Sequence, residues 1–230
     1  MPDRLKDAIV EIHYADFLPS ELIPGLTFKA LDDSYNYTTT PVRLNRKVLS
    51  SKYPQTQASL IFNEKIKVLL RPNSFIFNFL DEYIGWEEYS KEIRKFLESL
   101  IEQTEPIEFI RASVRYISEY QEINLGEAFK FDFTYGMPHV QSDKYTFRSE
   151  FSQDNMDVFL NLQNSVEIDS EDEERSISIS IVDIDVLKKD LKTKDLNEFI
   201  KIIDSVHDKQ KEVFFSIIRE DFLSTLNPEY

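Results

Sequence analysis

The chain has 230 residues, of which 27 are lysine or arginine and 42 are aspartate or glutamate, so its formal net charge is −15. It contains no cysteine, which excludes disulfides, thiolate zinc sites and cysteine nucleophiles. A strongly acidic chain repels the phosphate backbone of nucleic acids, and its four glycines stand too far apart to form a phosphate-binding loop.

Long apolar segments are missing from the sequence. The first 14 residues, MPDRLKDAIVEIHY, have no uninterrupted apolar stretch of the kind that signal peptides contain. No segment approaches the roughly 20 apolar residues that a membrane-spanning helix requires. We therefore expect a cytoplasmic protein that neither enters a membrane nor binds nucleic acid.

The first half of the chain alternates apolar and polar residues, a pattern typical of strands with one buried face. The predicted strands are residues 8–17, 42–50, 56–63, 66–71 and 74–80. Residues 85–103 change to helical spacing, and their apolar stripe consists of Trp86, Tyr89, Ile93, Phe96, Leu97 and Leu100. We expect this stripe to cover the sheet, because apolar surface left in water costs about 25 cal/mol per Å².

The second half repeats this order. Its predicted strands are residues 107–121, 129–135, 144–152, 155–163 and 176–183, and a long helix is predicted over 195–226. The pattern predicts an α+β fold of two similar halves, 1–105 and 106–230, each a mostly antiparallel sheet followed by a long amphipathic helix. AIVEI at 8–12 and ASVRY at 112–116 occupy the same place in the two halves, which favours an internal structural repeat.

The three histidines do not form a metal cluster in the sequence. His13, His139 and His207 each lack a second histidine three or four residues away, the spacing that places two ligands on one helix face. His207 lies on the inner side of the last predicted helix. A partly buried histidine whose ring nitrogens are hydrogen-bonded is favoured there over a catalytic one.

Paired carboxylates are the next candidates for chemistry. Asp183 and Asp185 would point the same way on a strand, close enough to share a magnesium ion. The competing interpretation is that they cap a helical turn or are solvated. The acidic run at 167–175 lacks the glycine and glutamate register of a calcium loop, so we predict a solvated hairpin loop there.

Arginines give the third set of candidates. Arg111 and Arg115 lie on one face of a long predicted strand and could hold an anionic ligand or an acidic peptide through bidentate contacts. The alternative is that they form cross-strand ion pairs. Further basic residues collect at Arg43, Arg46, Lys47 and Lys52.

The C-terminal stretch from Val182 to Pro228 resembles the signature of a sporadically distributed family of uncharacterised bacterial and archaeal proteins. In that family a Leu-His pair is followed by a phenylalanine and spaced isoleucines on a helix, and the matching residues here are Val206, His207, Phe214, Ile217 and Ile218. The family has no assigned activity, so the resemblance implies a fold. Its sporadic distribution fits an accessory component of a mobile or defence-associated system.

The sequence favours a non-catalytic binding or interaction protein, because it contains neither a GxSxG nor an HExxH motif. We expect a protein partner and self-association into a homo-oligomer, and no cofactor. Arg111, Arg115 and His207 are the predicted ligand contacts. The alternative is a metal-dependent hydrolase or phosphotransferase, with the metal on Asp183 and Asp185 and an arginine on the phosphate.

Overall fold

The computed structural model describes residues 5–15, 19, 21–41, 57–104, 106–131, 144–169 and 176–226. Nine strands occur in these residues: β1 (Leu5–Tyr14), β2 (Asn36–Pro41), β3 (Gln57–Phe62), β4 (Ile66–Arg71), β5 (Ser74–Phe79), β6 (Phe109–Gln121), β7 (Tyr145–Gln153), β8 (Met156–Asp169) and β9 (Ser176–Lys188). Five helices occur in them: α1 (Ile23–Ala30), α2 (Trp86–Glu102), α3 (Leu125–Ala128), α4 (Leu196–Ile217) and α5 (Glu220–Thr225).

The α+β class is confirmed, and the chain forms two compact units. Unit 1 consists of Met1–Ala8, Ser113–Lys188 and Ile203–Tyr230, and unit 2 consists of Ile9–Ala112 and Lys189–Ile202. Strands β1 and β6 and helix α4 therefore contribute residues to both units. The division into similar halves at residue 105, and the internal repeat, stay predictions.

Unit 2 contains antiparallel strands in the order β2-β3-β4-β5-β1. Helix α2 forms where the helical spacing predicts it, and its apolar stripe is buried except for Trp86, which is partly exposed. The Phe96 ring lies edge-on to Phe75 and Phe77, with centroids 5.8 and 5.2 Å apart. The helix thus covers the apolar face of these strands, as expected from their alternation.

Unit 1 contains strands in the order β6-β9-β8-β7, with β7–β8 and β8–β9 antiparallel. Val158, Leu160 and Leu162 of β8 are buried on one face. Helix α4 lies on that face, since the ring of its His207 is 5.8 Å from the ring of Tyr116 in β6. Residues that alternate with these point to the opposite face of the sheet, which we call the helix-free face.

The long helix predicted over 195–226 is interrupted, so that prediction was wrong in its extent. Ile218 pairs with Phe129, and the backbone N–H of Arg219 donates to Ala128 at 3.0 Å. Because the Arg219 N–H donates to Ala128, it makes no helical hydrogen bond, and α4 ends at Ile217 before α5 begins. No helix in the described ranges is both long and apolar enough to cross a membrane.

The remaining differences from the predicted elements concern short elements, segments outside the described residues and the end of β9. Helices α1 and α3 and strand β2 were not predicted, because they are short and lack a clear period. The predicted strand at 42–50 lies outside the described residues, as does most of the one at 129–135. Strand β9 extends five residues beyond the predicted end at 183, to Lys188.

Candidate functional site

Unit 1 has a concave pocket of about 480 Å³. We call it the Arg115 pocket. Strands β6, β7, β8 and β9 each supply side chains to it from the helix-free face, because cross-strand partners such as Asn161 and Asp183 share a face. Its polar lining consists of Arg115, Arg148, Ser149, Glu150, Asn161, Asp183 and Asp185.

Arg115 and Asp183 form a bidentate ion pair in this pocket. The guanidinium donates from Nε to Oδ1 at 2.8 Å and from Nη2 to Oδ2 at 2.7 Å. The Asp183 side chain is only 10% exposed, whereas the Arg115 side chain is 41% exposed. These hydrogen bonds raise the pKa of Arg115, and burial opposes the shift. Asn161 also donates to Oδ2 of Asp183, at 3.4 Å.

The two aspartates share one face of β9, since both line the Arg115 pocket. Both oxygens of Asp183 already accept hydrogen bonds from Arg115, so a metal ion would have to displace a charge-assisted bidentate contact. Within the described ranges no group of three or more His, Cys, Asp or Glu side chains is arranged to hold a metal ion. The metal-dependent alternative stays a prediction.

Unit 2 has a second pocket, of about 320 Å³, which we call the Arg111 pocket. It forms where residues 189–192 run beside the start of β6. Two backbone hydrogen bonds hold this segment: Leu191 donates to Ile110 at 3.0 Å and Phe109 donates to Thr193 at 2.8 Å. The charged or titratable lining consists of His13, Glu108, Arg111, Lys189, Asp190 and Lys192.

Arg111 differs from Arg115 in its contacts. Its Nε atom is buried and has no hydrogen-bond acceptor among the described residues, and the guanidinium makes no ion pair with them. A buried donor without an acceptor costs about 1–3 kcal/mol. The Arg111 guanidinium therefore keeps a hydrogen-bond donor that no described residue uses.

His207 does not join either arginine. It is 5% exposed, and its Nδ1 lies 3.5 Å from Oδ1 of Asp208. Burial lowers the pKa of His207 to about 4, and the charge of Asp208 opposes this shift. Because it lies on the helix-covered face of unit 1, its ring does not face the Arg115 pocket.

The remaining candidates have simpler outcomes. His13 lies on β1 with Nε2 at 2.8 Å from Oε1 of Glu11. The structure does not describe His139, residues 170–175 of the acidic run, or the basic residues Arg43, Arg46, Lys47 and Lys52.

Sequence reasoning did not single out Arg148, Asn161 or Lys192. Asn161 enters the Arg115 pocket through the register of β8 against β9, and Arg148 enters it through the register of β7 against β8. Such registers depend on contacts between distant segments. Lys192 had a detectable signal, because Lys188, Lys189, Lys192 and Lys194 cluster at the end of the last strand and just after it.

No protein-family model matches the chain, and no curated protein matches its sequence. The resemblance carried by residues 182–228 therefore stays a prediction.

We predict that Arg115→Ala lowers the free energy of unfolding by about 1–3 kcal/mol, because it leaves the nearly buried Asp183 carboxylate without its bidentate donor. Adding Asp183→Asn should recover part of this loss. Urea unfolding at pH 7 of both single variants and the double variant would give a coupling energy of about 1–2 kcal/mol. Additive effects would show that the pair contributes no net stability.

We predict that His207 makes unit 1 sensitive to acid. Its folded pKa of about 4 lies below the ordinary value of 6.5, so the unfolded state binds a proton first as the pH falls. Stability is full above pH 6.5 and declines between pH 6.5 and 4, by on the order of 3 kcal/mol. Urea unfolding across this range should show a shallower decline for His207→Gln. Parallel curves for the two proteins would contradict the prediction.

Proposed function

We propose that the protein is a non-catalytic binding protein that receives a carboxylate group of a protein partner in the Arg111 pocket. The observation that carries this proposal is the buried Nε of Arg111, which has no acceptor among the described residues. A carboxylate can accept two parallel hydrogen bonds from one guanidinium, and charge-assisted bonds of this kind are among the strongest in proteins.

The local charge of the pocket supports an anionic ligand. Arg111, Lys189 and Lys192 supply three positive charges to the lining, against two carboxylates from Glu108 and Asp190. This local excess of positive charge occurs in a chain whose net charge is −15. Long-range attraction of an acidic partner is therefore weak, and recognition would depend on one short-range contact at Arg111.

The size of the pocket favours a single side chain or a chain terminus over a large cofactor. Small-molecule sites usually occupy about 300–1,000 Å³, so 320 Å³ lies at the lower limit of that range. An aspartate or glutamate side chain of a partner, or its C-terminal carboxylate, would fill such a space. Capture of a terminal carboxylate is an established mode of peptide recognition.

We predict that N-acetyl-Glu-Glu-amide shifts the Nε–H resonance of Arg111 in a saturable way during a titration followed by nitrogen–proton NMR. The matched Gln-Gln peptide should give no such shift, because it lacks the charge. Arg111→Gln should weaken binding at least about tenfold. Arg71→Gln removes an exposed arginine of β4 and should bind as the wild type does.

A stability measurement separates a binding role from a structural one. If Arg111 is kept for a ligand, Arg111→Met should leave the free energy of unfolding unchanged or raise it by about 1 kcal/mol, since it removes a buried donor without an acceptor. The absence of a saturable shift of the Arg111 Nε–H in wild type would refute the proposed function. So would an affinity of Arg111→Gln equal to that of wild type, measured from backbone amide resonances in the same titration.

A further inference from the structure

Strand β7 ends the strand order of unit 1, and no described strand pairs with its outer edge. It is joined to β8 by a two-residue turn, Asp154 and Asn155, with φ angles of 54° and 58°. In such a hairpin the residues flanking the turn exchange both backbone hydrogen bonds, and bonded pairs then alternate along the strands. The backbone groups that point away from β8 are therefore those of Thr146, Arg148, Glu150 and Ser152.

The side chains along this edge are open to contact. Arg148 and Glu150 are exposed and make no ion pair with any residue that the structure describes. On the other face of the strand, Phe151 is 39% exposed, and it is one of four exposed large apolar side chains in the described ranges. The edge thus offers free backbone groups, two opposite charges and an aromatic ring.

We propose that β7 pairs with β7 of a second copy of this chain, antiparallel about a twofold axis at Ser149. In this register Arg148 of each copy lies directly opposite Glu150 of the other. Both residues have outward-pointing backbone groups, so they form the hydrogen-bonded pairs of the new ladder. The twofold axis makes two such Arg–Glu pairs, which is the isologous contact of a symmetric dimer.

Neighbouring registers are disfavoured by charge. Residues whose backbone groups point outward can pair only with one another across the new edge. The twofold axis must therefore pass through a residue and not between two residues, so it moves in steps of one residue. An axis at Arg148 places two arginines opposite each other, and an axis at Glu150 places two glutamates opposite each other. Like charges directly opposite destabilise a strand pair, so Ser149 is the favoured centre.

The other face of the strand supports the same register. An axis at Ser149 places Phe147 opposite Phe151 of the second copy, in a pair without direct hydrogen bonds, where the Cα atoms approach to about 4.5 Å. Aromatic rings at this spacing attract each other. The Phe147 ring is already in contact with Phe131, at a centroid distance of 4.5 Å, so it is held in place for this contact.

The contact should be weak and dependent on concentration. It consists of one strand edge, so its area is small relative to a permanent dimer. Two chains of net charge −15 also repel each other, although salt at 0.15 M screens charges beyond about 8 Å. Measurements therefore belong at that ionic strength and at protein concentrations up to the millimolar range.

Ser149→Cys tests the axis directly, because the chain has no cysteine and the variant carries a single thiol. Two thiols at position 149 would meet across the axis at a Cα separation that a disulfide can bridge. Under mild oxidation we expect disulfide-linked dimers. Thr146→Cys is the matched control, since its two thiols would lie about 20 Å apart. No dimer from Ser149→Cys, or equal yields from the two variants, would overturn the proposal.

A charge exchange tests the register. In Arg148→Glu, each of the two Arg–Glu pairs becomes a pair of opposed carboxylates. We expect the dimer affinity, measured by sedimentation equilibrium, to fall at least about tenfold. The double variant Arg148→Glu with Glu150→Arg restores both opposite-charge pairs and should dimerise like the wild type. A wild-type chain that remains monomeric at millimolar concentration would refute the proposal. The same result is expected if the edge pairs with a different protein instead. Neither outcome depends on Arg111, so the proposed carboxylate site is tested separately.

Discussion

In the strands against which a helix packs, the burial of one face is the constraint on which the other features depend. Strands alternate their side chains, so a strand covered by a helix on one face must place its polar residues on the other. In β9, Val182 and Ile184 are buried, and the residues that follow them, Asp183 and Asp185, line the Arg115 pocket. The same alternation places Tyr116 against His207 and Arg115 on the helix-free face. The pocket is thus a direct consequence of how the core is made.

Two arginines on one strand illustrate how neighbouring contacts decide the role of a residue. Arg111 and Arg115 are four residues apart in β6, and the sequence around them does not distinguish their roles. Arg115 meets Asp183, 68 residues away, and the pair neutralises both charges. The Arg111 guanidinium makes no such contact within the described ranges and keeps a buried Nε without an acceptor. Ion pairing explains the first arginine, and the proposed carboxylate ligand would supply the acceptor that the second one lacks.

Local periodicity was sufficient to predict much of the fold. Strands β3, β4 and β5 and helix α2 lie within a few residues of their predicted positions, because each buries apolar residues of an alternating or helical pattern. Strand β7 also forms where its alternation predicts it, although none of its side chains is buried. Strand β8 extends six residues beyond its predicted end, to Asp169. The break between α4 and α5 could not be predicted, since it depends on a bridge between Ile218 and Phe129. The partnership of Arg115 with Asp183, and the place of Asn161, depend on strand register for the same reason.

The β7–β8 turn determines which residues of β7 have backbone groups that point away from β8. Asp154 and Asn155 adopt positive φ angles, which asparagine and aspartate tolerate better than most residues, and this conformation fixes a two-residue loop. Lys209 of α4 donates to Asp154 at 2.6 Å and so ties the turn to the helix. With one residue more or fewer in the loop, the backbone groups that point away from β8 would be those of Ser149 and Phe151 instead of those of Arg148 and Glu150. A turn held by the helix therefore selects the charged residues for the open edge.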